Sequence, residues 1–368
     1  MSRTRLSTFA LLPLLSVLLL HGSQVEGYGF HDSQAHGTYV PGFGVKSIAQ
    51  SGAWTSVVDG PLAALANPAL ISAEGGRTEL VATAGFLTWK EEVHADTTIS
   101  KRTDWLPTAY TLGGSFRINA DMDGALAVGR VTDFTYAGQH DIPADPLEPG
   151  ALDSLEKLSV DGAVYEASAG VSFDGPFGIR MGAATGLLFG GADYDYKIVA
   201  SREPDSLART ESWSWTHTRP VGHLGMTYRG SLGSLSAAYI SGSHRYSPRL
   251  GLSARVIAER IGHVLVGFEA EVVSPLARNW FIGRYHMQIP LRSTISLLTG
   301  MTFNESAEAH KPSLGFSFGC TVDVDDVNVG LCLDWRSKDR QGSGFPSEQA
   351  DHVYDAGTII ALEISTRL

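Results

Sequence analysis

"SLGFSFGCTVD", residues 313–323, alternates without a break. Leu314, Phe316, Phe318, Cys320 and Val322 share one face. Ser313, Gly315, Ser317, Gly319, Thr321 and Asp323 share the other. Alternation with period two over about ten residues matches a tilted strand long enough to cross a bilayer. The next stretch, "VNVGLCLDWR" at 327–336, repeats it: Val329, Leu331, Leu333 and Trp335 oppose Asn328, Gly330, Cys332, Asp334 and Arg336. "YTLGGSFRIN" at 110–119, "AVYEASAGVSF" at 163–173 and the final "TIIALEISTRL" do the same.

A soluble β-sandwich also alternates. Two features favour a membrane barrel. The polar faces are mostly Gly, Ser, Thr and Asn with occasional charges, which suits a crowded or wet lumen. Connections also alternate in length: 119–124, 174–178, 229–234 and 323–326 are short, while 137–158, 200–211 and 337–355 are long and acidic or Pro-rich. Outer-membrane barrels pair short periplasmic turns with long extracellular loops in this way. The pattern predicts an all-β, transmembrane antiparallel barrel of about 14 strands over residues 77–368.

Composition fits. The chain has 368 residues, 18% of them charged, against roughly 25% in average soluble proteins. Gly is 41 of 368, and aromatics are plentiful. No segment offers the 18 unbroken apolar residues of a helical span. Residues 1–27 read as a signal peptide: Arg3 and Arg5, then "FALLPLLSVLLL", then small residues before Tyr28. Setting them aside takes the formal net charge from −11 to about −12, which argues against a nucleic-acid partner.

Ahead of the strands stands "VVDGPLAALANPALISAEGG", residues 57–76. Asn67 is a capping residue and Pro68 suits a first helical position. Leu62, Leu65 and Ala66 have helical spacing, and Gly75-Gly76 ends the run. With its lead "GFGVKSIAQSGAWTS", this stretch resembles the N-terminal hatch of the long-chain fatty acid transporter (FadL) superfamily, which includes aromatic-hydrocarbon channels and PorV-type secretion proteins. Asn67, Pro68 and Ala69 match the hatch motif, Asp59 approximates its acidic position, and Trp54 keeps an aromatic. The lead departs from the usual Gly-Gly-Ala pattern, and the chain ends in Leu368 rather than Phe or Trp. The resemblance implies that residues 28–76 fold into the lumen as a hatch, and the chain length is nearer the PorV-like branch. It implies passive uptake of hydrophobic small molecules, fatty acids or hydrocarbons, in the outer membrane without a cofactor. The alternative it implies is a PorV-like scaffold or shuttle for a secreted protein, without transport.

Other chemistry is thin. No His-Glu-x-x-His motif occurs, and the two Cys make no zinc pair. His217 and His223 share parity on one strand, so a serine-hydrolase site competes with a role as polar lumen filler. Asp121, Asp123, Asp323, Asp325 and Asp326 lie in turns and read as solvated carboxylates rather than a calcium site. The glycines of "GGSF" and "GALAVG" read as close packing. Cys320 and Cys332 fall on opposite faces of one hairpin, with 320 expected opposite 329, so no disulfide is expected.

Pro220 interrupts the strand 212–228. A strand proline removes a ladder donor and marks an edge, bulge or kink. The resemblance implies a kinked wall strand through which apolar cargo leaves sideways, and Pro220 is the candidate kink; the other reading puts it at the aqueous rim. Trp213 and Trp215 are candidates either for an interfacial girdle or for substrate contact.

Overall fold

A computed structural model describes residues 38–39, 42–95, 98–142, 154–200, 203–242, 248–258, 263–273, 280–305, 309–340 and 352–368. The expected signal peptide, residues 1–27, lies outside the described residues. Two short pieces precede the wall: strand β1 (Thr38–Tyr39) and helix α1 (Gly44–Ile48). The strands then follow as β2 (Glu79–Ala95), β3 (Thr98–Asn119), β4 (Met122–Asp133), β5 (Tyr136–Ile142), β6 (Ser154–Asp174), β7 (Ile179–Ala200) and β8 (Glu203–Gly230). The second half comprises β9 (Gly233–Ile240), β10 (Arg249–Ala258), β11 (Val264–Val273), β12 (Trp280–Arg292), β13 (Ile295–Glu305), β14 (Ala309–Val324), β15 (Val327–Arg340) and β16 (His352–Arg367).

Each strand pairs antiparallel with its neighbours, β16 returns to β2, and β4 pairs with β6. The result is a closed barrel of 14 wall strands. The small β5 extends the line of β4 along β6, and β1 lies on the free flank of β4. Closure removes the sheet edges that an open sheet would leave unpaired in lipid.

The alternation has the expected sense. Leu112, Phe316, Phe318, Leu331, Leu362 and Ile364 are exposed on the outer wall, Phe318 by 62%. Ser115, Ser317, Thr321, Asp334 and Glu363 are buried on the lumen face. An apolar belt of this size is stable against hydrocarbon rather than water. Trp335 stacks on Phe316 on the outer face, ring centroids 6.1 Å apart, as an interfacial aromatic would.

The Cys hairpin has a different register from the one expected. Cys320 lies opposite Leu331, and Cys332 opposite Gly319. The strands close tightly at Val324↔Val327, with Asp325 at φ 54, so the turn is centred one position later than the sequence suggested. Neighbouring positions still point to opposite faces, and both cysteines are free thiols.

Candidate functional site

Residues 42–78 lie in the lumen, encircled by the wall. Among the described residues the segment is one short α-helix, α1, followed by 3-10 turns at Gly60–Leu65, Pro68–Leu70 and Glu74–Gly76. The helical spacing of Leu62, Leu65 and Ala66 therefore produces 3-10 turns, the form used where only a few residues are available. Asn67 caps as its side chain suggests: Oδ1 accepts from the Ala69 N–H at 3.1 Å. Its Nδ2 donates to the Thr55 carbonyl at 2.6 Å, so Asn67 also ties the two halves of the segment together.

The wall grips these halves in different ways. Residues 49–55 are held by polar groups. Ser317 Oγ donates to the Ala49 carbonyl at 2.9 Å, and Arg284 Nε donates to the Ser51 carbonyl at 3.1 Å. The Trp54 and Thr55 N–H groups donate to Glu269 at 3.1 and 2.7 Å, and the Trp54 indole N–H donates to Glu271 at 3.0 Å. Arg284 bridges both glutamates, Arg249 bonds Glu271, and the Arg249 guanidinium lies over the Trp54 ring. Buried charges are tolerated only when paired and hydrogen-bonded, and this cluster meets that condition. Residues 60–66 pack through apolar side chains instead. Among the described residues no hydrogen bond joins 60–66 to the wall.

The lumen glycines have a specific use. A Cβ on Gly182 would sit 2.3 Å from the Pro68 backbone, and one on Gly300 would sit 2.5 Å from that of Gln50. On Gly113 and Gly129 it would meet Pro61 and Leu65 at 2.9 Å. Glycine on the lumen side of successive strands lets the plug lie against the wall's backbone. This refines the close-packing reading of "GGSF", which contains Gly113, and of "GALAVG", which ends in Gly129.

Asp59 lies on the short-turn side of the plug. Its carboxylate pairs with Lys46 Nζ at 2.9 Å. Both line a polar cavity of about 390 Å³ with Glu79, Arg229, Asp323 and Glu363. The Asp59 carboxylate holds Lys46 above the usual lysine range. Burial pushes Asp59 up, but Lys46 pulls it further down, so it lies below the usual carboxylate value.

Above the plug the wall changes character. On the outer side of β7 and β8, Leu187, Phe189, Leu224 and Met226 are apolar. Higher on the same strands the outer positions become Asp193, Asp195, Lys197, Ser212, Ser214 and Thr216. The inner side changes in the opposite direction, to Leu158, Val160, Leu188, Tyr194, Tyr196, Val221 and Ile240, all buried in one cluster. Trp215 joins them. Its ring meets Phe134 edge-on with centroids 5.0 Å apart, and its N–H donates to Tyr194 Oη at 3.3 Å. Trp213 stacks on Tyr194 at 4.9 Å and 9°, and remains 41% exposed. Both Trp residues thus follow the inner parity of β8, so a girdle on the outer wall does not describe them.

A break in the wall lies at β4, and the β7–β8 ladder beside Pro220 is continuous. The β3–β4 ladder ends at Thr111↔Gly129, while β3 continues along β2. Beyond Gly129 the alternation stops, and Arg130, Val131, Thr132, Asp133 and Phe134 are all buried. The register against β6 shifts between Arg130 and Thr132, and an Arg130–Asp133 pair at 2.9 Å spans the shift. At Pro220 the β7–β8 register runs unshifted through Leu187↔Pro220. Gly222 directs both its N–H and its C=O to the β9 flank, where Ser241 meets them. Pro220, two residues earlier, faces the same flank, but β9 pairing ends at His223↔Ile240. The proline therefore lacks a donor at a position where, among the described residues, no strand pairs with that flank.

His217 and His223 are both on the inner face. His223 Nε2 lies 2.7 Å from Glu166, and Ser168 donates its hydroxyl to Glu166 rather than to the imidazole. Among the described residues His223 makes no hydroxyl–imidazole contact of the kind an activated serine needs. The sequence reading missed the Glu269/Glu271/Arg249/Arg284 clamp and the β4 break. The clamp left one legible sign: "FEAEVV" places two glutamates on the lumen face of one strand.

A fourteen-stranded barrel closed by an N-terminal plug, with the β3–β4 ladder interrupted beyond Gly129, defines a recognisable class of architecture. Among solved structures, similar folds include a Pseudomonas aeruginosa FadL homologue, at TM-score 0.65 and 11% identity over 90% of this chain and 99% of that one. The Pseudomonas putida toluene transporter TodX gives TM-score 0.62 at 13% identity, over 89% and 99%. A deltaS2 mutant of the TodX monoaromatic hydrocarbon channel gives TM-score 0.68 at 14% identity, again over 89% and 99%. The PorV-like branch finds no support in these likenesses. No family model matches the sequence, and no curated protein does.

Proposed function

We propose that this chain is an outer-membrane channel for passive uptake of hydrophobic small molecules. The observation that carries the reading is the reversal of polarity along β6, β7 and β8. A wall apolar outside and polar inside becomes one polar outside and apolar inside, as the strands rise past the belt. Above the membrane, only a ligand or the protein itself can use an apolar inner face. Here Phe134 and Trp215 close that face, so the structure reads as a resting state.

In this reading cargo enters from the long-loop end and displaces the Phe134–Trp215 contact. It descends until the plug stops it. The cavity beyond the plug is polar and charged, which penalises an apolar molecule there. The unladdered flank between β3 and β4 offers an alternative, with Phe43 and Leu65 of the plug standing beside Gly129 at its foot. Cargo leaves sideways into lipid by that route. No covalent step or cofactor enters this scheme. The similarity of fold to channels described as FadL and toluene transporters supports the same class of cargo.

The test is uptake by bacteria with an intact lipopolysaccharide layer, because small hydrocarbons cross simple lipid bilayers unaided. Cells with the protein should accumulate labelled toluene or laurate faster than cells without it, with no gain for a sugar of similar size. Equal uptake of the hydrophobic compounds by both cell types overturns the reading.

A further inference from the structure

We propose that the wall carries a second, polar site below the plug: a seat for a tetrahedral oxyanion of the phosphate class, held by Arg229 and Arg255. The seat lies toward the short-turn end of the lumen. It is separate from the apolar face above, so it stands whatever the channel carries.

The strand register builds it. Arg229 on β8 lies opposite Ser234 on β9, and Ser234 lies opposite Arg255 on β10. The three form one rung and share the lumen parity of the next rung up, the buried Thr227, Ser236 and Ser253. Neighbouring strands are about 4.8 Å apart, so the two arginine backbones stand roughly 10 Å apart with a hydroxyl between them. Side chains as long as arginine's meet over Ser234 from both flanks, and the two guanidiniums repel each other there.

Neither guanidinium is bonded to a carboxylate among the described residues. Arg255 donates to the Ser56 carbonyl at 3.0 Å and to Gln288 Oε1 at 3.4 Å, and its Nε is buried without a partner. A guanidinium carries more N–H donors than these two bonds use. Arg229 is exposed to the polar cavity and pairs with no acid among the described residues. Asp59 attracts Arg255, but its carboxylate is bonded to Lys46. The cavity's other carboxylates, Glu79, Asp323 and Glu363, belong to β2, β14 and β16, on the far side of the ring of strands from β9.

A second observation comes from β12. His286 is 3% exposed, and neither ring nitrogen has a hydrogen-bond partner among the described residues. It continues the same rung: His286 lies opposite Gly267, which lies opposite Arg255. A Cβ on Gly267 would stand 2.0 Å from His286 Nε2, so the glycine lets the ring lean over β11 toward Arg255. Buried polar groups without partners are costly and rare. An unpartnered imidazole and an unpartnered guanidinium nitrogen beside two like charges are resolved together by one anion.

The shape of the donors selects the anion. Each guanidinium presents a planar fork that matches a pair of oxygens. Two forks engage the four oxygens of a tetrahedral anion. An acetate has only two oxygens, and a lipid phosphodiester has only two that are unbridged. Because Arg255 also holds the Ser56 carbonyl, an anion that fixes Arg255 steadies the plug from beneath.

The experiment uses the purified full chain in detergent, in phosphate-free buffer at constant ionic strength. Inorganic phosphate, dimethyl phosphate and acetate are titrated by calorimetry. Phosphate should bind saturably at one site, at least about tenfold more tightly than the other two, because sites built for hydrogen bonds discriminate against analogues lacking the partner atoms. Arg229→Gln alters an exposed side chain and should weaken phosphate at least about tenfold, since hydrogen bonds between charged groups are the strong kind. Arg77→Gln removes another exposed arginine at the short-turn end, one bonded to Asp326, and should leave the affinity unchanged. Phosphate should also slow hydrogen exchange at residues 56–58, and this effect should vanish in Arg229→Gln. Absence of saturable phosphate binding overturns the proposal, as does unchanged affinity in Arg229→Gln. Equal losses in the two variants would mark general charge screening and overturn it too. Dimethyl phosphate binding as tightly as inorganic phosphate would assign the seat to a lipid headgroup instead.

Discussion

The lower and upper halves of the wall use one alternating pattern for opposite purposes. On β8 the lower apolar positions are even, Leu224, Met226 and Tyr228, and they face outward. The upper ones are odd, Val221, Trp215 and Trp213, and they face inward. On β6 the change runs from Tyr165, Val171 and Phe173 outward to Leu158, Val160 and Val164 inward. The β6–β7 register never shifts, so the strand has not slipped; the environment has changed. A phase flip in an unbroken strand marks where lipid ends, and what it buries afterwards marks where the protein handles apolar matter.

The largest expected effect concerns the lower half. Gly182→Val places a side chain on the backbone of Pro68, which cannot yield as a side-chain tip can. Overpacking costs about 1–3 kcal/mol, and more where backbone must move. The variant should dislodge the plug and turn a closed barrel into a conducting one in planar bilayers. An unchanged, non-conducting variant breaks the tight-fit picture.

Next is the clamp. Glu269→Ala removes the acceptor of Trp54, Thr55 and Arg284 together. Breaking a buried pair of this kind costs about 3–5 kcal/mol. The temperature at which the folded barrel loses its fast gel mobility should fall markedly. A matched change on the apolar half, Leu65→Ala, should loosen residues 60–66 without releasing residues 49–55, and hydrogen exchange would show which half opens.

The upper half is tested by adjacent residues of one strand. Val160→Lys puts a charge on the inner face, and Ser159→Lys puts it in water. Uptake should fall by about tenfold or more in the first, since an unpaired charge strongly disfavours an apolar ligand, and stay near wild type in the second. Equal effects would contradict the reversal of polarity.

The Lys46–Asp59 pair is a smaller matter, since both side chains are partly exposed. Asp59→Asn should cost no more than about 1 kcal/mol. The depressed Asp59 gives stability that is present above the ordinary aspartate value, about pH 4, and is lost as pH falls through its lower folded value. The raised Lys46 gives stability present below about pH 10 and lost as pH rises through its higher folded value. Chemical denaturation across pH should show a plateau between those limits that flattens in the variant. Smallest of all, Pro220→Ala should change stability by no more than about 0.5 kcal/mol, because no strand among the described residues pairs with that flank.

How much of this was legible follows from the physics of each part. The barrel, its strand number and its outward faces rest on alternation, which is clear in strands such as β6, β7, β14 and β15. In the N-terminal segment the Asn67 cap was legible, since capping chemistry is local. The β4 break was not, because burial of Arg130 through Phe134 depends on β6, β8 and the plug, all distant in sequence. Pro220 misled for a related reason. A proline announces a missing donor, but only the end of the β9 ladder reveals that no described strand pairs there. The phase flip on β6 and β8 was present in the sequence, hidden because alternation looks alike in either phase.

The most direct measurement is a structure with a brominated aromatic hydrocarbon, locating bromine by anomalous scattering. The expected result is a peak against the upper inner face, between Phe134 and Trp215, with those rings parted. A peak only in the polar cavity beside Lys46 and Asp59, or only on the outer belt, would contradict the central claim.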